Sequence, residues 1–381
     1  MAKTGVGVVG IGFIGPAHIE ALRRLPDVEV VALAEGSEEA AAAKARALGV
    51  PNACGDYRKL LARSDVRVVH ICTPNHLHYE MSKQALQAGK HVVCEKPLAT
   101  SATEAAELVA LARTKGLVNA VHFNVRYYPL MRQVRLMAQN GDVGEIFSVH
   151  GSYLQDWLYY PTDYNWRLET KLSGKSRAVA DIGSHWMDLI EHVSGLRILE
   201  VFADFATFHT KRKKPLKPLE TYAGKILTPE DYSEVPIDTE DYATILFHFS
   251  RGAHGALTVS QVSAGRKNRI SFEIDGSRRA IAWDSESPNS IWIGRRDGAN
   301  EVIMKDPSLV YPEARSLISF PGGHNEGFPD TSKQMFKEVY EHIASGAQGT
   351  PTFPTFEDGL RELVLCEKIL DSKDAGAWVR V

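Results

Sequence analysis

Within its first fifteen residues the chain runs Val6-Gly7-Val8-Val9-Gly10-Ile11-Gly12-Phe13-Ile14-Gly15, an apolar stretch ending in a glycine-rich turn. Val6, Val8 and Val9 read as a buried strand, and Gly10, Gly12 and Gly15 complete G-x-G-x-x-G where a helix can begin at Pro16-Ala17-His18. Such a turn suits a dinucleotide. Gly10 permits the tight bend, Gly12 leaves no Cβ in the way of a pyrophosphate, and Gly15 lets the helix pack against the strand with its first N–H groups toward the phosphates. Phe13 and Ile14, between the last two glycines, belong to the same cradle. Glycine turns between strand and helix are common, so the motif gains its meaning from the strand after it. That strand, Val28 to Ala34, ends at Glu35, about 20 residues beyond the last glycine, where an acid accepts the adenosine ribose hydroxyls. A 2′-phosphate would meet its negative charge, which favours NAD over NADP, although Ser37 and Lys44 are close enough in sequence to soften the preference.

At 381 residues the chain is long for one core and ample for two domains. A net charge of −3 gives no electrostatic case for nucleic acid or a membrane surface as partner. No apolar run is long enough to span a bilayer. Cys54, Cys72, Cys94 and Cys366 make no C-x-x-C pair and suit buried thiols in a reducing compartment. Met1-Ala2-Lys3 passes straight into the first strand, leaving no room for a signal peptide, so the expected location is the cytoplasm.

Through residue 123 strand and helix patterns alternate. A helix over Ser37 to Leu48 is closed by Gly49; Val66 to Cys72 reads as a third strand, Tyr79 to Ala88 as a helix, His91 to Cys94 as a fourth strand, Thr103 to Lys115 as a helix ending at Gly116, and Val118 to His122 as a fifth strand. Repeated units of this kind predict a parallel sheet with ligands at the carboxyl ends of its strands. Beyond residue 123 the pattern changes. A helix over Tyr128 to Gln139, a strand from Ile146 and a helix opening near Ser184 precede alternating runs at Ala243, Ile245, Phe247, Phe249 and at Ile270, Phe272, Ile274, which predict a largely antiparallel sheet. Two amphipathic helices close the chain, one with Met335, Phe336, Val339 and Ile343, the other with Phe356, Leu360, Leu363 and Val364 behind a Thr355 cap. Residues 209–241 carry Lys211-Arg212-Lys213-Lys214 and Lys217, then Glu220, Glu230, Asp231, Glu234, Asp238, Glu240 and Asp241, and read as a solvated loop in preference to a surface for an anionic partner.

Three groups of residues can carry chemistry. The third strand runs into Thr73-Pro74-Asn75-His76-Leu77-His78 and the fourth into Glu95-Lys96-Pro97, where a lysine is poor core material and the proline admits a cis bond. The plain alternative is a surface lysine beside a turn. In Ala180-Asp181-Ile182-Gly183-Ser184-His185-Trp186-Met187-Asp188, Asp181 and His185 stand four apart and share a helical face. Here the alternatives are a helix cap and a core histidine.

Taken together and in this order, Gly10-x-Gly12-x-x-Gly15, Thr73-Pro74-Asn75-x-x-His78, Glu95-Lys96-Pro97, Trp166-Arg167 and Asp181-Ile182-Gly183-Ser184-His185-x-x-Asp188 resemble the glucose–fructose oxidoreductase, inositol dehydrogenase and rhizopine catabolism (Gfo/Idh/MocA) family, with the Phe356-Glu357-Asp358-Gly359 helix also in keeping. The resemblance implies an α/β fold: an N-terminal Rossmann dinucleotide-binding domain over 1–123 and a C-terminal α+β domain over 124–381 with a large, mainly antiparallel open sheet. It implies catalytic positions at Lys96, Asp181 and His185. It also implies cofactor contacts from Thr73, Pro74, Asn75, His78 and Glu95, with Asn124 at the nicotinamide end. Assembly as a homodimer or homotetramer through the open sheet face is inherited from the same resemblance. One departure stands out: the family often has a glycine triplet before its Asp-x-Gly-x-His motif, and this chain has Ser176-Arg177-Ala178.

These residues suit oxidation of a secondary alcohol. A neutral His185 takes the hydroxyl proton, Lys96 stabilises the developing alkoxide, Asp181 holds the imidazole, and NAD accepts the hydride; no metal is called for. The stretch with Tyr153, Gln155, Asp156, Trp157, Tyr159, Tyr160, Tyr164, Asn165, Trp166 and Arg167 mixes flat faces with hydrogen-bonding groups, as a sugar ring needs. Its alternative is an aromatic loop or subunit contact. His324, in Gly322 to Gly327, is a further substrate candidate, and Arg167, Lys171 and Arg177 suit an anionic group. Three functions fit these features. The first is an NAD-dependent dehydrogenase of a sugar, glycoside or cyclic polyol; the second, known in the family, is an NAD-dependent glycosidase working by transient ring oxidation and elimination, on an anionic glycoside. The third, a cofactor sensor without catalysis, predicts loss of the Lys96 and His185 pair, which is present.

Overall fold

The computed structural model describes residues 3–216 and 232–381. The acidic and basic positions Lys217, Glu220, Glu230 and Asp231 lie outside the described residues. The chain divides into two compact units, Met1–Tyr127 with Phe328–Leu363, and Tyr128–Gly327 with Val364–Val381.

In the first unit β1 (Thr4–Val9) leads through the glycine turn into α1 (Ile14–Arg23), followed by β2 (Val28–Ala34), α2 (Glu38–Leu48), β3 (Ala53–Cys54), α3 (Tyr57–Leu61), β4 (Val68–Ile71), α4 (His78–Gln87), β5 (His91–Cys94), α5 (Ala102–Lys115) and β6 (Asn119–Val121). Six parallel strands in the order β3-β2-β1-β4-β5-β6 make the doubly wound sheet that the alternation predicts. Its helices start and stop on the expected residues: Ser37 Oγ accepts from Ala40 N, Ser101 Oγ accepts from Glu104 N, and Gly49 and Gly116 end their helices in the left-handed conformation. The two-residue edge strand β3 is too short to show a period and has no signature in the sequence.

The helices at Phe328–Ala344 and Phe356–Ala375 differ from expectation in where they pack. The first buries Met335, Phe336 and Val339, and Phe356, Leu360 and Leu363 of the second join the core formed by β1, β2, β4 and β5. A single cut after residue 123 therefore does not describe the chain, because residues 328–363 return to the first unit. Close approach explains one of the glycines in this return: a Cβ on Gly359 would lie 2.9 Å from Leu98 Cβ.

The second unit holds α6 (Met131–Gln139), β7 (Ile146–Leu154), the single turn α7 (Thr170–Ser173), α8 (Ser184–Ser194), β8 (Ile198–Ala206), β9 (Lys211–Pro215), β10 (Tyr232–Pro236), β11 (Tyr242–Phe249), β12 (His254–Ser260), β13 (Arg269–Gly276), β14 (Ala280–Asp284), β15 (Ser290–Gly294), β16 (Glu301–Met304) and β17 (Val379–Arg380). Nine of the strands form one sheet, β16-β15-β14-β13-β7-β12-β11-β8-β17. Every pairing in it is antiparallel except β12 with β7. Ala243, Ile245, Phe247 and Phe249 on β11 and Ile270, Phe272 and Ile274 on β13 face the core as their spacing predicts, beneath α8, whose Trp186 indole donates to Ser271 O. The opposite face exposes Phe147, Leu246, Val302 and Met304.

The segment read as a solvated loop is partly ordered. Lys211–Pro215 pairs with Tyr232–Pro236 as a two-stranded ribbon, with Lys211 bonded to Glu234 on its surface. Arg212 turns inward and is buried on Asp241.

Candidate functional site

The first unit carries the cofactor half. Gly10 has φ of 87°, and a Cβ on Gly15 would lie 2.2 Å from Gly10 O, so both positions need glycine for the turn and for the helix to start where it does. A Cβ on Gly12 would meet nothing within 4 Å, which leaves open space on the side where a pyrophosphate docks. Phe13 is exposed at the tip of the turn and Ile14 opens α1. Glu35 lies against this turn. Its Oε1 accepts from Ile11 N at 2.5 Å and its Oε2 from Gly36 N at 3.2 Å, which sets the carboxylate beside the glycine turn at the end of β2. The donor set and the glycine cradle thus fit NAD.

The ends of β4 and β5 supply the other candidates. Thr73 and Pro74 lead into the turn Asn75–Leu77, and Glu95-Lys96 is followed by a cis peptide to Pro97. His78 is wholly buried, with Nδ1 2.7 Å from Pro97 O and Nε2 2.8 Å from Thr73 O, so its ring braces the segments that follow β4 and β5. Burial lowers its pKa against the opposing pull of those carbonyls. Asn124 is buried and donates through Nδ2 to Thr331 Oγ1 at 2.7 Å, a partner supplied by the returning helix Phe328–Ala344.

The second unit carries Asp181 and His185. Asp181 lies in a π-helical turn, Val179–Gly183, that runs into α8, where His185 is buried with its ring centroid 6.3 Å from that of Tyr153. Single π turns are rare and concentrate at functional sites. Asp181 Oδ2 accepts from Gln261 Nε2 at 2.9 Å, and Oδ1 faces Arg167 Nε at 3.5 Å. Arg167 in turn stacks on Trp166, 4.5 Å from the ring centroid.

Arg177, expected at the substrate, is placed elsewhere. Its side chain has no exposed surface; Nη2 donates to Asp241 Oδ1 at 2.5 Å, Nη1 to Gln261 Oε1 at 2.8 Å and Nε to Thr239 Oγ1 at 3.1 Å. A guanidinium so placed cannot meet a substrate anion, because its donors are satisfied inside the unit. The remaining substrate candidates have local partners. Asp156 Oδ2 accepts from Lys267 Nζ at 2.7 Å and Gly265 N at 3.0 Å, and Trp157 donates to Gln155 Oε1 while packing on the Leu158, Leu168 and Ile237 cluster. His324 is exposed, its Nδ1 3.3 Å from Gly322 O, on a loop pinned by the buried Lys305–Glu326 pair at 2.8 Å.

Sequence reasoning missed Gln261, which links Arg177 to Asp181, and the buried histidines His18, His70 and His122. A lone glutamine carries no pattern. The histidines did carry a signal, since each interrupts an otherwise apolar strand or helix face of the first unit.

Comparison with known proteins accords with this geometry. The family model for the NAD-binding Rossmann fold of Gfo/Idh/MocA oxidoreductases matches residues 4–123, and the model for that family's C-terminal domain matches residues 131–282. A levoglucosan dehydrogenase from Pseudarthrobacter phenanthrenivorans is 30% identical, covering 100% of this chain and 99% of that protein. A levoglucosan dehydrogenase structure in complex with NADH and L-sorbose superposes with a TM-score of 0.89 at 29% identity, over 100% of this chain and 99% of the other. An inositol dehydrogenase homologue from Azotobacter vinelandii, complexed with NAD+, gives 0.86 at 25% identity over 100% and 98%.

Proposed function

Because the chain belongs to the Gfo/Idh/MocA family of NAD-binding oxidoreductases, we propose that it is an NAD-dependent dehydrogenase of a secondary hydroxyl on a sugar, glycoside or cyclic polyol. The observation that carries the proposal is the full-length similarity to levoglucosan dehydrogenase. Glu35 against the glycine turn supports the choice of NAD, since a 2′-phosphate would meet its carboxylate.

His185 takes the proton of the substrate hydroxyl as general base. Asp181, held by Gln261 and facing Arg167, keeps a negative charge available to the imidazolium as it forms. Lys96 places an ammonium against the developing alkoxide. NAD supplies the hydride acceptor. Thr73, Pro74, Asn75, Glu95 and Asn124 line the cofactor, Arg167 and Lys171 are the cations left for an acidic or hydroxyl-rich substrate once Arg177 is excluded, and Asp156, Trp157 and His324 are assigned to the substrate's outer edge. The exposed apolar residues of the large sheet suit a homodimer or homotetramer, and the buried thiols suit a cytoplasmic protein.

The test is a panel of levoglucosan, inositols, free sugars and charged glycosides with NAD or NADP, following reduced nicotinamide and released aglycone separately. Net NADH is expected with a polyol or anhydrosugar; aglycone release without NADH would establish the glycosidase instead. Lys96→Ala and His185→Ala are each expected to lower kcat by roughly 10²–10⁴-fold while NADH binding, read by fluorescence, stays within a few-fold. Near-normal turnover in either variant would end this assignment of roles.

A further inference from the structure

Behind Glu95 the first unit buries a set of polar side chains for which the reaction has no use. His18 Nε2 lies 2.9 Å from Glu95 Oε1 and His122 Nδ1 lies 2.6 Å from the same oxygen. His18 Nδ1 lies 2.9 Å from His70 Nδ1, His70 Nε2 2.9 Å from the Tyr340 hydroxyl, and His122 Nε2 3.0 Å from Ser332 Oγ. Glu95 Oε2 accepts from Lys96 N at 3.3 Å.

One proton on each imidazole satisfies this whole pattern in a single sense. Tyr340 donates to His70 Nε2, His70 Nδ1–H to His18 Nδ1, and His18 Nε2–H to Glu95; Ser332 donates to His122 Nε2, and His122 Nδ1–H to Glu95. The Cys72 thiol, kept protonated by burial, faces the same acceptor nitrogen of His18 at 3.3 Å. Two chains of donors thus converge on one carboxylate. Burial opposes ionisation of Glu95, yet the imidazoles of His122 and His18 outweigh it and hold its pKa well below the usual range. Burial above all lowers the His18 pKa to about 4, so His18 stays neutral.

The same three residues, His18, Glu95 and His122, have the composition of a metal site, but their spacing is wrong for one. Two donors sharing a zinc ion at ~2.0–2.1 Å stand roughly 3.3 Å apart. Separations of 2.9 and 2.6 Å are hydrogen bonds.

We propose that the array is a charge lock, keeping an ionised carboxylate at the ligand edge of the sheet so that the site favours the oxidised, cationic nicotinamide over the neutral reduced one. The inference rests on the proposed placement of Glu95 and Lys96 at the nicotinamide end. A fixed anion in a dry setting acts on a cation and leaves a neutral ring almost untouched. Its consequence is a weaker hold on NADH relative to NAD+, which eases the product release that limits many dehydrogenases.

The experiment measures dissociation constants of NAD+ and NADH for the apoprotein and for Glu95→Gln, by calorimetry and nicotinamide fluorescence. The expected result is roughly tenfold weaker NAD+ binding, ~1.4 kcal/mol, with NADH within about twofold. Equal weakening of both would overturn the charge discrimination while leaving Glu95 as a cofactor contact. No change in either would overturn the inference together with the placement it rests on. Tyr340→Phe keeps the carboxylate and frees His70 to adopt the other tautomer, which removes the His18 donor; it is expected to shift the NAD+/NADH ratio the same way by about twofold to threefold. An unchanged ratio there, or stoichiometric zinc in the purified protein, would overturn the array as described.

Discussion

Replacing Gln261 by methionine tests how Asp181 is held. The glutamine is fully buried and bridges two charged groups, accepting from Arg177 Nη1 at 2.8 Å and donating to Asp181 Oδ2 at 2.9 Å. Arginine only donates, so the amide can point one way alone, with its oxygen to Arg177 and its nitrogen to Asp181. Methionine has nearly the same length and removes both bonds without opening a cavity. A hydrogen bond to a charged group contributes about 1.5–3 kcal/mol; Arg177 retains Asp241 and Thr239, and Asp181 is partly solvated with Arg167 nearby, so the net cost is ~2–4 kcal/mol. Differential scanning calorimetry should show the melting temperature of the second unit falling by ~5–12 °C. The kinetic effect should be separable from the loss of stability. At a temperature where the variant is folded, kcat should drop with KM for NAD unchanged, because Asp181 is no longer held in one orientation. Gln261→Glu, which keeps the acceptor for Arg177 but sets a second carboxylate against Asp181, should lower kcat further. A variant that melts within ~1 °C of the parent with unchanged kcat would refute the bridge.

Two further outcomes are expected. Gly12→Ala should melt within ~1 °C of the parent yet bind NADH at least ~10-fold more weakly, whereas Gly15→Ala, whose Cβ would lie 2.2 Å from Gly10 O, should lose both stability and binding; equal behaviour of the two in calorimetry and fluorescence would contradict the cradle. His18, with a folded pKa of about 4 below its ordinary 6.5, binds fewer protons in the native than in the unfolded chain between those values, so stability should fall by ~3 kcal/mol as pH drops from 6.5 toward 4. Glu95 adds a loss in the same direction below about 4.5. Urea midpoints at pH 7, 5.5 and 4.5 check this, and a flat series would exclude it.

The first unit was legible in the sequence because its signals are local. The glycine turn, the Ser37 and Ser101 caps and the apolar strands each lie within one element, and Glu35 comes at the spacing that a β-α-β unit imposes. Features that depend on residues far apart in the chain were not legible. Nothing in Met335, Phe336 and Val339 says which of two units their helix will cover, and the amphipathic stripe is equally served by either. His18, His70, His122 and Glu95 read as scattered polar residues until parallel pairing of β4 and β5 and the start of α1 bring them together. For the same reason the span of the His78 ring from Thr73 O to Pro97 O was not legible, because it joins two segments apart in the chain.

Two oddities of the sequence explain each other. Ser176-Arg177-Ala178 stands where the family often has three glycines, and Lys211-Arg212-Lys213-Lys214 reads as a charged surface run. In the fold both arginines donate to Asp241 Oδ1, Arg177 at 2.5 Å and Arg212 at 2.8 Å, with His209 N on the other oxygen. Burial would push the Asp241 carboxyl up, but the Arg177 guanidinium foremost and Arg212 with it hold it down. Neighbouring Glu240 accepts from Ser176 Oγ, Arg177 N and Val179 N, which fixes the entry to the π-helical turn. Glycines in that approach would leave the backbone free; here a buried ion cluster does the opposite, tying the approach to Thr239, Glu240 and Asp241 just ahead of β11 and delivering Asp181 to Gln261 in one orientation. The departure from the family pattern is therefore a change in how Asp181 is supported.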